Sequence, residues 1–187
     1  MFQWDLGGGV VLRMFDGRHA EALFRLTERN REHLRPWMPW VDQVRTSMDS
    51  AAFIQSGLQQ FAHDNGFQAG IWLRDELAGA IGYHYWHWGN RLTELGYWLG
   101  ADYQGQGLMT RACRALTGYA FAELGLQRVE IQCATTNRPS RAVPERLGFV
   151  EEGVRRQAEW LHDHFVDLVV YSMLRDEWPG AAAMLPE

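Results

Sequence analysis

Cysteine is scarce in this sequence. Cys113 and Cys133 are the only two among 187 residues, and they form no CxxC pair, which excludes a zinc framework or a disulfide scaffold and suits a reducing compartment. An excess of basic charge is missing as well. The formal net charge of −5 leaves no broad surface for nucleic acid or anionic lipid, for which clustered lysine and arginine are the expected footprint. No apolar run reaches the roughly 20 residues of a membrane span, and Met1-Phe2-Gln3-Trp4-Asp5 lacks the basic and apolar regions of a leader. We therefore expect a soluble cytoplasmic protein with no metal, no membrane partner and no direct nucleic-acid partner. Repeats, low-complexity runs and linkers are also wanting, so residues 1–178 read as a single domain followed by a loose tail at 179–187.

What is plentiful is aromatic and apolar material. The chain is 47% hydrophobic and carries nine tryptophans, which either fill a core or line a pocket. Val10 to Met14 is β-prone, and Ala20, Leu23, Phe24, Thr27, Arg31 and Leu34 fall at helical spacing, predicting a helix over 18–33. The segment Arg35-Pro36-Trp37-Met38-Pro39-Trp40 carries two prolines and so is a loop. Its tryptophans cap the core or line a substrate groove. Ser47-Met48-Asp49-Ser50 offers caps for a second helix. Three antiparallel strands follow over 67–74, 77–88 and 92–99, joined by tight turns. After a glycine-rich turn, Leu108, Ala112, Leu116 and Ala120 mark a long helix that Gly125 stops. A strand over 127–134, a short helix over 137–147 bent by Pro144, and strands over 149–155 and 165–174 complete the order βααβββαβαββ. This is a mixed α/β arrangement, with about seven strands in one twisted, mostly antiparallel sheet.

The turn itself, Gln104-Gly105-Gln106-Gly107-Leu108-Met109-Thr110, points free N–H donors and the positive end of a helix dipole at one spot. That combination suits a phosphate. The plainer reading is a strand-to-helix turn whose glycines supply positive φ. What flanks it decides: Glu94-Leu95-Gly96-Tyr97-Trp98-Leu99 before it, and Asn137-Arg138-Pro139-Ser140 with Leu147-Gly148-Phe149 after it. Together with the element order, these motifs resemble the GNAT superfamily of acetyl-CoA-dependent N-acetyltransferases over nearly the whole chain. Asn137-x-x-Ser140, the run from Arg141 to Phe149, and Ala158-Glu159-Trp160 are most similar to its ribosomal-protein branch, which modifies protein N-termini.

The resemblance implies acetyl-CoA as cosubstrate, held by Gln104, Gly105, Gln106, Gly107, Leu108, Met109 and Thr110, by Trp98 and Leu99, and by Asn137 and Ser140. The pyrophosphate loop of the family has the form Gln/Arg-x-x-Gly-x-Gly/Ala, and Met109 stands where its small residue usually is. It implies transfer by a direct ternary complex to a protein N-terminus, or to a small amine such as an antibiotic, polyamine or aminoacyl conjugate; a non-catalytic acetyl-CoA sensor is the other class. Glu159 and Glu94 are offered as base, Glu159 ranked slightly ahead, with a solvated strand carboxylate as the alternative for each. Ser140 is the proton donor to the departing thiolate, because Pro144 occupies the position of the tyrosine many members use. Helix capping is the alternative for Asn137 and Ser140. Trp37, Trp40 and Glu94 are the substrate-binding candidates, and relatives that pair through sheet edges make a homodimer an option. Cys133 has no histidine near it in sequence and reads as packing rather than as an acyl-accepting nucleophile. His84 and His87, three apart on a strand, point to opposite faces and make no metal pair.

Overall fold

Residues 3–179 are described in a computed structural model. Eight strands form one sheet: β1 (Gln3–Asp5), β2 (Val10–Met14), β3 (Gln68–Leu73), β4 (Glu76–His87), β5 (Leu92–Leu99), β6 (Arg128–Ala134), β7 (Val150–Leu161) and β8 (His164–Leu174), in the spatial order β1-β2-β3-β4-β5-β6-β8-β7. Five helices accompany it: α1 (Ala20–Arg29), α2 (Arg31–Leu34), α3 (Ser47–Ala62), α4 (Leu108–Ala122) and α5 (Arg138–Leu147). The expected mixed α/β fold is present, with one strand more than expected because β1 pairs with β2. From residue 180 onward the expected loose tail lies outside the described residues. Among the described residues no helix is long and apolar enough to cross a membrane.

Several boundaries differ from expectation for identifiable reasons. The helix expected over 18–33 breaks at Asn30, whose side-chain Nδ2 donates to the Leu26 carbonyl while its Oδ1 accepts from the Ala101 N–H. The cap of α3 is Thr46, one residue ahead of the expected group, and Asp49 accepts from its N–H in return. The strand expected to stop at Arg155 runs on to Leu161. Two register shifts against β8 hide its alternation, one beside Gly153 (φ 144°) and one around Gln157 (φ 49°).

Strand alternation sends side chains to two faces, and each face has its own core. On one side α4 and α5 cover Leu95, Val129, Ile131 and Val169, all buried, and Leu116 of α4 is fully buried among them. Each such side chain contributes about 1.5–3 kcal/mol by leaving water. On the other side α1 and α3 pack Leu23, Leu26 and Ile54 on Trp72, Leu77 and Ala80. The packing of α1 on β4 and of α3 on β3 places those helices over the first half of the sheet. The same face of β5, β6, β8 and β7 carries Glu94, Glu130, Gln132, Arg155 and Glu159, as their register requires.

Candidate active site

Strands β5 and β6 run parallel and pair from Leu92–Arg128 to Leu95–Ile131, and there the pairing stops. Both strands continue. β5 stays paired with β4 as far as Leu99, and β6 with β8 as far as Ala134, so a wedge opens between them. The Gly100 N–H donates to the Ala78 carbonyl on β4, and by alternation the main-chain groups of Tyr97 and Leu99 turn into the wedge, while those of Trp98 turn to β4. A Cβ on Gly79 would lie 2.2 Å from the Trp98 oxygen, so only glycine allows that close approach.

At the mouth of the wedge a 3-10 turn, Ala101–Tyr103, delivers the chain to Gly105 and Gly107, both with φ of 72°. Open space surrounds the point where a Cβ would sit on either glycine. Backbone conformation, rather than room, is what demands glycine there. Helix α4 starts immediately after Gly107, and its first intrahelical acceptor, the Gly107 carbonyl, is taken by Arg111. The N–H groups of Leu108, Met109 and Thr110 precede that bond and are left pointing out of the helix start. Met109 is 6% exposed, with its side chain in the core under α4. Its bulk therefore leaves the donor array clear.

A cleft of about 770 Å³ runs along this array. Of the residues expected to hold a cofactor, Trp98, Leu99, Gln104, Gly105, Gly107, Leu108, Met109, Thr110, Asn137 and Ser140 border it. Gln106 does not; its amide turns back to the Asp102 carbonyl. Three arginines that the sequence reading missed, Arg111, Arg114 and Arg146, also border the cleft. Arg146 donates to Thr110 Oγ1 and Arg111 to the Gly7 carbonyl. The i, i+3 spacing of Arg111 and Arg114 just after the glycine turn was the signal that could have found two of them. Helix-start donors, three guanidinium groups and apolar walls fit an elongated ligand bearing phosphates.

Asn137 caps α5, accepting from the Ser140 N–H at 3.2 Å. Ser140 also accepts the Tyr97 hydroxyl at its main-chain oxygen, 2.9 Å away, and its Oγ lies 3.2 Å from Cys133 Sγ. Burial raises the pKa of the Cys133 thiol. That is the condition of an inert thiol.

On the opposite face, Glu94 sits one residue before the last β5–β6 pair, at the apex of the wedge. Burial, and next the charge of Glu130, push its pKa up to about 7. Gln132 donates to its Oε2 at 3.0 Å, and His84 Nε2 lies 4.0 Å from its Oε1. The His84 ring lies against Gly96, where an added Cβ would meet Nε2 at 2.2 Å. Glu159, just past the second irregularity of β7, also has its pKa raised by burial. Neither glutamate borders the cleft.

A second groove, of about 560 Å³, lies between the loop after α2 and the β7–β8 turn. Glu32, Arg35, Trp37, Ala134, His162 and Val166 are among its walls. Trp37 borders both cavities. Trp40 borders neither. Its ring packs against Trp98, with centroids 5.7 Å apart. His162, 11% exposed, ties the turn to the loop through the Arg35 carbonyl at 2.8 Å and Asp42 at 3.3 Å. Among the described residues no cluster of metal-binding side chains occurs.

Comparisons with known proteins agree with this geometry. Residues 10–150 match the family model described as an acetyltransferase (GNAT) domain. The chain is 38% identical to a putative ribosomal N-acetyltransferase, YdaF, of Bacillus subtilis, covering 96% of this chain and 99% of that one. It is 32% identical to the ribosomal-protein-serine acetyltransferase of Escherichia coli, over 84% and 88% of the two chains. Among solved structures, RimL, a ribosomal L7/L12 alpha-N-protein acetyltransferase in complex with coenzyme A, superposes with a TM-score of 0.88 at 28% identity, covering 92% of this chain and 98% of that one. The microcin C7 self-immunity acetyltransferase MccE, in complex with acetyl-CoA and AMP, does so with a TM-score of 0.86 at 28% identity, over 90% and 94%. The chain belongs to the GNAT family and is an acetyl-CoA-dependent acetyltransferase.

Proposed function

We propose that the chain acetylates the N-terminal amine of a protein or peptide, of the ribosomal-protein type, in a direct ternary complex. The observation that carries this reading is the groove beside the cofactor cleft, which shares Trp37 with it as a wall. A peptide end laid in that groove meets the wedge from the face that bears Glu94. The two curated relatives named for ribosomal-protein acetylation, matched over most of their length, support the same acceptor class.

In this reading the glycine turn and the three arginines hold the phosphates, and the thioester lies in the wedge. A main-chain N–H of Tyr97 or Leu99 donates to the oxyanion that forms as the amine nitrogen attacks the acetyl carbon. Glu94 takes the amine proton through a water. A carboxyl with a pKa near 7 is matched to an amine of pKa about 7.7–8.0. As the C–S bond breaks, the thiolate receives the Ser140 hydroxyl proton, and Ser140 recovers one from solvent. We assign the base to Glu94 over Glu159 because Glu94 stands at the apex of the wedge, with one oxygen held by Gln132.

The test is thiol release from acetyl-CoA with a panel of peptides bearing free or blocked N-termini, beside small amines. Free N-termini are expected to support turnover and blocked ones not; turnover with small amines alone overturns the acceptor. Glu94→Gln is expected to remove the acidic limb of the rate profile, and Glu159→Gln to keep it. Ser140→Ala is expected to lower kcat by at least about tenfold with little change in KM; an unchanged kcat removes its role.

A specific observation favours a second acceptor, an aminoacyl conjugate of a nucleotide. MccE, a structural neighbour, was solved in complex with acetyl-CoA and AMP, and the ring of Trp37, which borders both cavities, suits stacking of a base. Thiol release with such a conjugate and none with peptides is the outcome that selects it.

A further inference from the structure

Glu94 is held by more than its immediate neighbour. Gln132, on β6, donates from Nε2 to Glu94 Oε2 at 3.0 Å, and its Oε1 accepts from Arg155 Nη1 at 2.9 Å. These three side chains come from β5, β6 and β7, and the strand register puts them on one face of the sheet. An amide has one oxygen and one nitrogen. Because a guanidinium can only donate, Arg155 fixes which end of the Gln132 amide faces it, and the nitrogen is thereby turned to the carboxylate. Arg155 is itself the last β7 residue in register before the irregularity that ends at Glu159. That irregularity is pinned where the Gln157 N–H donates to Asp167 Oδ1 at 2.7 Å.

We propose that Arg155 and Gln132 form a positioning relay, in which Arg155 orients the Gln132 amide and Gln132 holds one oxygen of Glu94, leaving the other, on the His84 side, to accept the proton of the incoming amine through the bridging water. The proposal rests on Glu94 being the base. Neither relay residue touches the reacting atoms. The groups facing Glu94 work in opposite directions. Burial, Glu130 and Glu159 disfavour its charged form, whereas Arg155 and the Gln132 hydrogen bond favour it. Glu130 is ion-paired with Arg128 at 2.7 Å, His84 lies near Oε1, and Tyr85 feels the charge of Glu94 from β4. With the two favouring groups gone, the carboxyl stays protonated to higher pH, and less base is available at neutrality.

The experiment is the pH profile of kcat/KM for wild type and variants, with a parallel carboxyl NMR titration of Glu94 in the acetyl-CoA complex. Arg155→Met and Gln132→Leu are expected to move the acidic limb and the NMR titration upward by roughly half a pH unit or more. Arg155→Lys, which keeps the charge and a donor, is expected to restore most of the wild-type position. Arg156→Met, which removes the same charge from the neighbouring residue, is expected to leave the limb in place. If Glu94→Gln abolishes the limb while Arg155→Met leaves both readouts unmoved, the relay is overturned and the base stands. If Glu94→Gln keeps the limb, the base assignment itself fails, and the NMR titration alone then decides whether Arg155 acts on Glu94.

Discussion

The Nε2 atom of His162 stands 2.8 Å from the main-chain oxygen of Arg35, a contact between parts of the chain 127 residues apart. A carbonyl only accepts, so this nitrogen carries a proton. The other ring nitrogen lies 3.3 Å from a carboxylate oxygen of Asp42. One wall of the second groove, the proposed acceptor site, is therefore fastened to the other by a single ring. Replacing His162 by Ala removes the hydrogen bond to Arg35, worth about 0.5–1.5 kcal/mol, and the contact with Asp42. The expected result is a KM for the acceptor raised by about 2- to 10-fold, with the KM for acetyl-CoA little changed. Steady-state kinetics with each substrate varied in turn makes the check; equal rises in both constants contradict it.

Gly107 closes the glycine turn with φ of 72° and has open space where a Cβ would go. A Gly107→Ala variant thus meets no clash, and its cost is conformational, about 1–2 kcal/mol. Part of that cost is expected to appear as lower stability, and part as a shift of the Leu108 and Met109 N–H groups that weakens acetyl-CoA binding. Calorimetric titration of the variant with acetyl-CoA is expected to show a weaker Kd. Gly125→Ala, at a φ of 63° beyond the far end of α4, serves as the control that loses stability and keeps affinity.

Away from the site, Arg128 reaches Glu152 on β7 with two hydrogen bonds, and Ser172 donates to the same carboxylate. The hydrogen bonds from Arg128 hold the Glu152 pKa at about 2, against an ordinary 4.5. A lowered carboxylate pKa stabilises the fold above the unfolded value and loses that contribution as pH falls through the folded value. The stabilisation is therefore full above about pH 4.5 and fades toward pH 2. Because Glu152 is 42% exposed, its contribution after solvent screening is about 1 kcal/mol. Urea unfolding of Glu152→Gln is expected to show that deficit at pH 7 and a smaller one at pH 3; a deficit that does not shrink argues for packing instead of charge.

The parts of the fold that were legible in the sequence are those set by local chemistry. The glycine turn declares itself because positive φ and a helix start are properties of adjacent residues, and α4 because its apolar stripe needs no partner to be seen. What escaped depends on partners far along the chain. Asn30 ends α1 because its side chain accepts from Ala101, a contact that no window around Asn30 contains. β1 is three residues long, too short to show a period. The run of β7 past Arg155 was hidden by its own irregularities, which interrupt the alternation that marks a strand. At the site, the roles proposed for Glu94, Ser140 and Asn137 came from family resemblance. The arginine wall of the cleft went unseen because α4 and α5 each supply part of it, and Gln132 and Arg155 because only the register of three strands makes them neighbours.

The short seam between β5 and β6 has a mechanical consequence. From Leu92 to Leu95 the two halves of the sheet are stitched by main-chain bonds, and beyond that no main-chain pair joins them. In the binding mode proposed above, a cosubstrate lodged in the gap supplies the missing stitches, much as a splint bridges a fracture. Loading acetyl-CoA thus stiffens the far ends of both strands, and amide exchange at Tyr97 and Leu99 should slow most when the splint is in place.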